Sequence, residues 1–230
     1  MNLQKYYEDF YSGSNVAAAY PNEYVVRIFR GQYPRLKLSA DGYVGKKLLD
    51  IGCGDGRNLR VMSDLGLELY GTEITDGISS RVSKELRKIG IKSKIVTGFN
   101  HALPFDNDYF DYLLSWNSSY YMGMEKKYHK YEKYVKEFAR VLKTGGKLII
   151  SVPMPSHSIF RNSVLLDKDY IIITDDYYKI RNGQIFRVFK NKTDIISQFR
   201  SLFDGFIFGA LKDDCFGIKN HHFLMICEKK

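Results

Sequence analysis

With 230 residues, 44% hydrophobic, 15% aromatic and 27% charged, the chain can bury one enlarged domain or a core with a cap, and disorder is excluded. Its 35 Lys and Arg against 26 Asp and Glu leave a net charge of +9, which attracts phosphate-bearing partners or simply confers solubility. No run approaches the ~18 apolar residues of a membrane span, MNLQKYYEDFY has no apolar signal core, and Cys53, Cys215 and Cys227 fit neither a disulfide framework nor a zinc knuckle, so a soluble cytoplasmic protein with no membrane span is expected.

In chain order, NVAAAYPNEYVVRIFRGQYPR within the first 40 residues suggests one or two helices folding over a sheet as a lid. KKLLDIG (46–52) reads as a buried strand running into glycines, and GRNLRVMSDLG (56–66) as a helix stopped by Gly66. LELYGTEI (67–74), ISSRVSKELRKIG (78–90), IKSKIVTG (91–98) and YFDYLLSW (109–116) continue as strand, helix, strand and strand. Tyr128, Tyr131, Val135, Phe138 and Leu142 recur at helical spacing before a cap at Gly145, and GKLIISVP (146–153) is a strand ended by Pro153. Such alternation predicts an α/β fold, a doubly wound parallel sheet with helices on both faces.

Beyond Pro155 the texture becomes aromatic. DYIIITDDYYKIRNGQIFRVFK (169–190) reads as a small inserted hairpin around Asn182-Gly183. KTDIISQFRSLF (192–203) is a helix with Thr193 or Asp194 near its start, followed by two final strands in FDGFIFGALKDDCF and HHFLMICEKK. Residues 125–147 hold eight Lys or Arg against three Glu. This basic face reads as solvated, because no stacking residues interleave with it as a nucleic-acid footprint would require.

Asp50, Gly52, Gly54 and Gly56 stand where the first strand becomes the first helix, the place where backbone approaches a ligand at the carboxyl end of a parallel strand. The spacing is not that of a dinucleotide turn, since Arg57 follows Gly56, and a phosphate-cradling loop ending in Gly-Lys-Ser/Thr is absent. Glu73 ends the second strand, where an acidic side chain accepts from ribose hydroxyls.

LLDIGCGDGRN (48–58), TEI (72–74), HALPFDNDYFDYLLSWNSS (101–119) and FARVLKTGGKLIISVP (138–153) together resemble the class I S-adenosylmethionine-dependent methyltransferases. The resemblance implies one domain over 1–230: an N-terminal lid (1–40), a cofactor-binding core (41–153), and an acceptor-side insertion with the last strands (154–230). It also implies a mostly parallel seven-stranded sheet with an antiparallel last strand, and S-adenosyl-L-methionine as cofactor. On the matching positions, Gly52, Cys53 and Gly54 would line its methionine half, Gly56 would complete the turn and Asp50 would order it. Glu73, with Ile74 beside it, would hold the ribose, and Ser115 and Trp116 would sit at the sulfonium end. The family's usual adenine-binding acid is replaced by Phe99, so Phe99 and Asn100 would take the adenine by stacking and hydrogen bonding. Tyr11 and Tyr20 of the lid would close the site.

Methyl transfer is an in-line displacement that asks mainly for alignment and exclusion of water. A hydroxyl acceptor also needs a base; His157, Tyr120 and His221, with His222 beside it, are placed by chain order near the strand ends, His157 first. Asp175-Asp176 and Asp213-Asp214 are neighbours that face opposite ways on a strand, so no metal is expected. A small-molecule acceptor leads; an RNA methyltransferase and an inactive S-adenosylmethionine-binding module are the alternatives.

Overall fold

The computed structural model describes residues 20–36, 38, 42–124 and 130–230. Its elements in chain order are α1 (Glu23–Arg30), β1 (Lys47–Ile51), α2 (Arg57–Asp64), β2 (Glu68–Glu73), α3 (Asp76–Lys88), β3 (Ser93–Thr97), β4 (Phe110–Ser115), β5 (Tyr121–Met124), α4 (Tyr131–Val141) and β6 (Leu142–Pro153). β7 (Ser163–Leu165), β8 (Tyr170–Ile173), β9 (Gln184–Arg187), α5 (Lys192–Phe199), β10 (Phe203–Cys215) and β11 (Ile218–Lys229) follow. None of the described helices is long and apolar enough to cross a membrane.

The main sheet has seven strands in the order β10-β11-β6-β4-β1-β2-β3. β11 runs antiparallel to both its neighbours, and the five strands from β6 to β3 are parallel. Because side chains alternate along a strand, each face carries its own core. Leu49, Ile51, Leu113, Leu148 and Ile150 meet Val135 and Phe138 of α4 and Phe199 of α5. On the other face Leu48, Leu69, Leu114 and Ile149 meet Phe29 of α1, Leu59 and Met62 of α2, and Val82 and Leu86 of α3. The sheet is therefore doubly wound, as the alternation of patterns requires.

Four local readings are refined. α1 buries Val25, Ile28 and Phe29 against one face of the sheet, with the Tyr43 hydroxyl donating to the Phe29 carbonyl at 2.9 Å, so this helix folds over the sheet as a covering layer, while residues 1–19 of the expected lid lie outside the described residues. α4 stops at Val141, and Leu142 turns directly into β6 with ψ 142°, so Gly145 caps no helix and lies in a turn at φ 76°. α5 starts at Lys192 with Thr193 and Asp194 in its first turn, as expected, but ends at Phe199 short of the expected 203, and Asn191 caps it: its side chain accepts from the Asp194 N–H at 2.9 Å. The expected hairpin is real, with Ile171 opposite Phe186, but residues 174–183 form a long connection and Asn182-Gly183 only closes it. β8 and β9 belong to a separate four-stranded antiparallel sheet, β5-β9-β8-β7, that draws in β5 from the loop after β4. α4 buries Tyr131, Tyr134, Val135 and Phe138 and exposes Glu132, Lys133 and Lys136.

Candidate active site

β1 lies between β2 and β4, the point from which the chain winds outward in both directions, so the carboxyl ends of these strands leave a crevice. The glycine turn lines it. Gly52 has φ 64°, and a Cβ there would stand 2.2 Å from the Ser118 hydroxyl that follows β4, so only glycine fits. Glu73 reaches across from the end of β2: the Gly54 N–H donates to its Oε1 at 2.5 Å and the Ile74 N–H to its Oε2 at 3.2 Å. Burial pushes the Glu73 carboxyl up to about 7, against the pull of those two N–H groups and of Arg81.

Asp50 was expected to order this turn, but that bond belongs to Glu73. The Asp50 carboxyl is 1% exposed, its Oδ2 has no partner, and burial, followed by the nearby Glu73, raises it well above the usual carboxylate range. Ser115 Oγ is likewise buried without a partner. Gly56 turns away from the crevice: a Cβ there would meet Val82 and Leu86 of α3 at 3.1 Å, which makes it a packing glycine for two helices. Asp55, buried and absent from the sequence reading, accepts from Arg57 Nε at 2.9 Å.

Beyond β3 the Phe99 ring, 42% exposed, stacks at 5.6 Å on His101, which stacks at 6.2 Å on Tyr134. Asn100 and Ile74 are half-buried beside it. Trp116 is buried in the core on the α1–α3 side, and Cys53 lies in the same cluster. Tyr20 is 82% exposed, so its ring closes nothing among the described residues, and Tyr11 lies outside them. An orphaned buried carboxylate, a buried hydroxyl and a glycine crossing that a side chain would fill fit a ligand rich in hydroxyl and amino donors, as S-adenosylmethionine is.

A second group of side chains gathers where β4 and β6 end and β11 begins. His157 Nδ1 accepts from the Ile159 N–H at 2.9 Å, capping the short 3-10 turn Ser158–Phe160. Its ring stands edge-on to His222, centroids 4.8 Å apart. Burial, then Arg181, push His157 down to about 4. His222, 2% exposed, points Nε2 at Asn220 Oδ1 at 3.0 Å, leaves Nδ1 without a partner, and is pushed by burial and His157 down to about 3. His157 is therefore a neutral cap with its Nδ1 lone pair engaged, which removes the ground for ranking it first as a base. His221 is held from both sides, Nδ1 by the Ser156 hydroxyl at 2.8 Å and Nε2 by Asp214 at 3.1 Å.

Tyr120 is buried and stacks at 4.7 Å on Tyr121. The Tyr121 hydroxyl accepts from Arg181 Nε at 2.9 Å, and Arg181 interacts electrostatically with Tyr120, Tyr121 and His157. The structure thus gathers Tyr120 and His157 about an arginine, and His221 close to His157, although only positions relative to strand ends pointed to them. Arg181, Asp176, Ser118 and Asn220 were missed. Arg181 had one signal, its place just before the turn pair Asn182-Gly183.

Residues 49–150 match a family model described as a methyltransferase domain. Sterol 4-C-methyltransferase strm-1 of Caenorhabditis elegans is 33% identical over 104 residues, 44% of this chain and 29% of that protein. Sarcosine/dimethylglycine N-methyltransferase of Aphanothece halophytica is 27% identical over 113 residues, 48% of this chain and 39% of that protein. The chain thus spans well under half the length of these curated relatives. A solved SAM-dependent methyltransferase from Methanosarcina mazei shares the fold, with a TM-score of 0.61 at 18% identity over 86% of this chain and 98% of the other. The match to a methyltransferase domain thus spans residues 49–150, on a fold shared with a SAM-dependent methyltransferase.

Proposed function

We propose that this domain transfers the methyl group of S-adenosyl-L-methionine to a small-molecule acceptor seated between the glycine turn and the four-stranded sheet. The observation that carries the reading is the crossing of Gly52 and Gly54 beside Glu73 and the unpartnered Asp50 carboxyl. The bound cofactor supplies an electrophilic methyl on a sulfonium; the protein supplies alignment and a dry site. Gly52, Cys53 and Gly54 hold the methionine half through the backbone. Glu73 accepts from ribose hydroxyls, Phe99 and Asn100 take the adenine, and Ser115 and Trp116 bound the reacting end.

On the acceptor side His157 and His222 stay neutral and orient by hydrogen bonds, since burial keeps both below the physiological range. When the acceptor is a hydroxyl, His221 takes its proton by way of Ser156: the exposed Ser156 O–H passes its proton to His221 Nδ1 while Asp214 steadies Nε2. Curated relatives named for sterol and for sarcosine and dimethylglycine support a small molecule as acceptor. Calorimetry should give S-adenosylmethionine binding well ahead of a nicotinamide dinucleotide, and labelled cofactor incubated with metabolite pools should give a labelled small product. Equal or better dinucleotide binding, or label found only in RNA, would overturn the reading.

A further inference from the structure

We infer that Arg181 anchors an anionic oxygen group, a carboxylate or a phosphate, on the methyl acceptor. This rests on reading the group of side chains around Tyr120 and His157 as the acceptor side.

Donor accounting carries the argument. A guanidinium has five N–H donors. Arg181 Nε–H donates to the Tyr121 hydroxyl at 2.9 Å and Nη1 to both Asp176 oxygens at 3.2 Å; Nη2 donates to no described residue. Arg140 and Arg187 differ. Arg140 uses Nε on Glu137 and both Nη atoms on the carbonyls of Phe105 and Leu103. Arg187, fully buried, gives Nη1 to the carbonyls of Asp169 and Val188 and Nη2 to Asp194. Those two staple the backbone, whereas Arg181 touches no carbonyl and keeps one end open, its side chain being 23% exposed.

The open end is also held still. Asp176, 5% exposed, accepts from the Ile180 N–H at 3.1 Å as well as from Arg181, and its own N–H donates to Asn182 Oδ1 at 2.7 Å, so the loop fixes the carboxylate that fixes the guanidinium. The other ionisable groups that act on or are acted on by Arg181 are Tyr120, Tyr121 and His157, and the His157 Nδ1 lone pair is already taken. A rigid planar fork with free N–H groups and one countercharge on its far side matches the bidentate geometry of a carboxylate or phosphate oxygen pair. An ammonium or a neutral hydrocarbon would leave those donors unanswered.

The test uses the full chain with S-adenosylhomocysteine present and absent. The Arg181 Nε–H resonance, identified by its loss in Arg181→Gln, is followed by NMR during titration with acetate, benzoate and inorganic phosphate, and with acetamide and benzamide as neutral counterparts. An anion should move that resonance at about tenfold lower concentration than its amide, the discrimination expected of a charge-assisted pair. In the variants, which lack that N–H, the preference is read by calorimetry with the same anions and amides: Arg181→Lys should keep part of it, and Arg181→Gln should lose it while retaining S-adenosylhomocysteine affinity. A lead of phosphate over the carboxylates, or the reverse, decides between the two groups. Equal response to anion and amide, no response to any anion, or a preference surviving in Arg181→Gln overturns the inference; should the variants fail to fold, calorimetric titration of the wild type with each anion and its amide makes the same comparison without an assigned resonance. Anion preference without S-adenosylhomocysteine binding would instead overturn the methyltransferase reading and leave the anion site standing.

Discussion

Gly52 and Glu73 fix the same turn by opposite means, one by lacking a side chain and the other by supplying one. At φ 64° any L side chain at 52 adds about 1–2 kcal/mol of backbone strain, and its Cβ would lie 2.2 Å from Ser118 Oγ. Gly52→Ala should therefore lower the melting temperature by several degrees and weaken S-adenosylhomocysteine binding at least tenfold, roughly 1.4 kcal/mol; Ser118→Gly should relieve the collision but not the strain. Unchanged calorimetric affinity in Gly52→Ala would remove the turn from the site. Glu73 makes a prediction in pH. Its folded value of about 7 lies above the ordinary 4.5, so the fold favours the protonated form. That contribution is fully present below pH 4.5 and is lost as pH rises through 7, amounting to roughly 3 kcal/mol if nothing else titrates. Urea midpoints of Glu73→Gln, which cannot titrate, should gain on wild type between pH 5 and pH 8. A constant difference across that range would contradict it. The sequence made both residues legible because a turn needs glycine and a strand end is a fixed place, but it assigned the fastening of the turn to Asp50. Which of two carboxylates meets an N–H depends on the offset between β1 and β2, and sequence does not carry that.

Among the elements, strands were legible where hydrophobic runs ended in glycine or proline: four of the five parallel strands of the main sheet fall within the expected segments, and the fifth, β6, begins at Leu142, four residues before the expected 146. The misreadings share one cause, the tertiary override of a local signal. Asn182-Gly183 is a strong turn dipeptide, and it does turn, yet Asp176, Ile180 and Asn182 bond among themselves and open the hairpin into a loop. β5 has four residues and pairs only with β9, far along the chain, so no local pattern announces it. The start of α5 was legible, at Lys192 as expected, but its cap, Asn191, lies one residue before the expected segment. Asn191→Ala should cost about 1 kcal/mol, read as a lower denaturant midpoint at unchanged slope. Asp194→Ala should cost more, because the Arg187 guanidinium, 1% exposed, would lose its 2.8 Å partner and remain buried. If the two variants are equal, Asp194 acts only on the helix end and not on the arginine.

For the molecule as a whole the question is whether the antiparallel sheet is an appendage or part of one cooperative unit. Phe186 and Phe189, at β9 and just after it, are fully buried in the same cluster as Phe138 of α4, Phe199 of α5 and Leu148 of β6. Polar links cross the same boundary: the Tyr131 N–H of α4 donates to the Tyr170 hydroxyl of β8 at 3.0 Å, and Arg187 of β9 bonds Asp194 of α5. The Tyr131 and Phe189 rings meet at 5.1 Å, nearly perpendicular. Melting the small sheet alone would expose these aromatics and strand a buried guanidinium, so it gains little entropy for a large loss of burial. One unfolding transition is therefore expected. The single tryptophan, Trp116, sits on the opposite face of the main sheet and reports on it by fluorescence, while hydrogen exchange at the Phe186 amide, bonded within the small sheet, reports on the other. The two should give the same denaturant midpoint and slope. Phe189→Ala should move both together, by about 3–5 kcal/mol for an aromatic removed from a packed core. An earlier midpoint at Phe186, with Trp116 undisturbed, would make the acceptor side an independent flap, and specificity would then be set by its closing and not by a fixed wall.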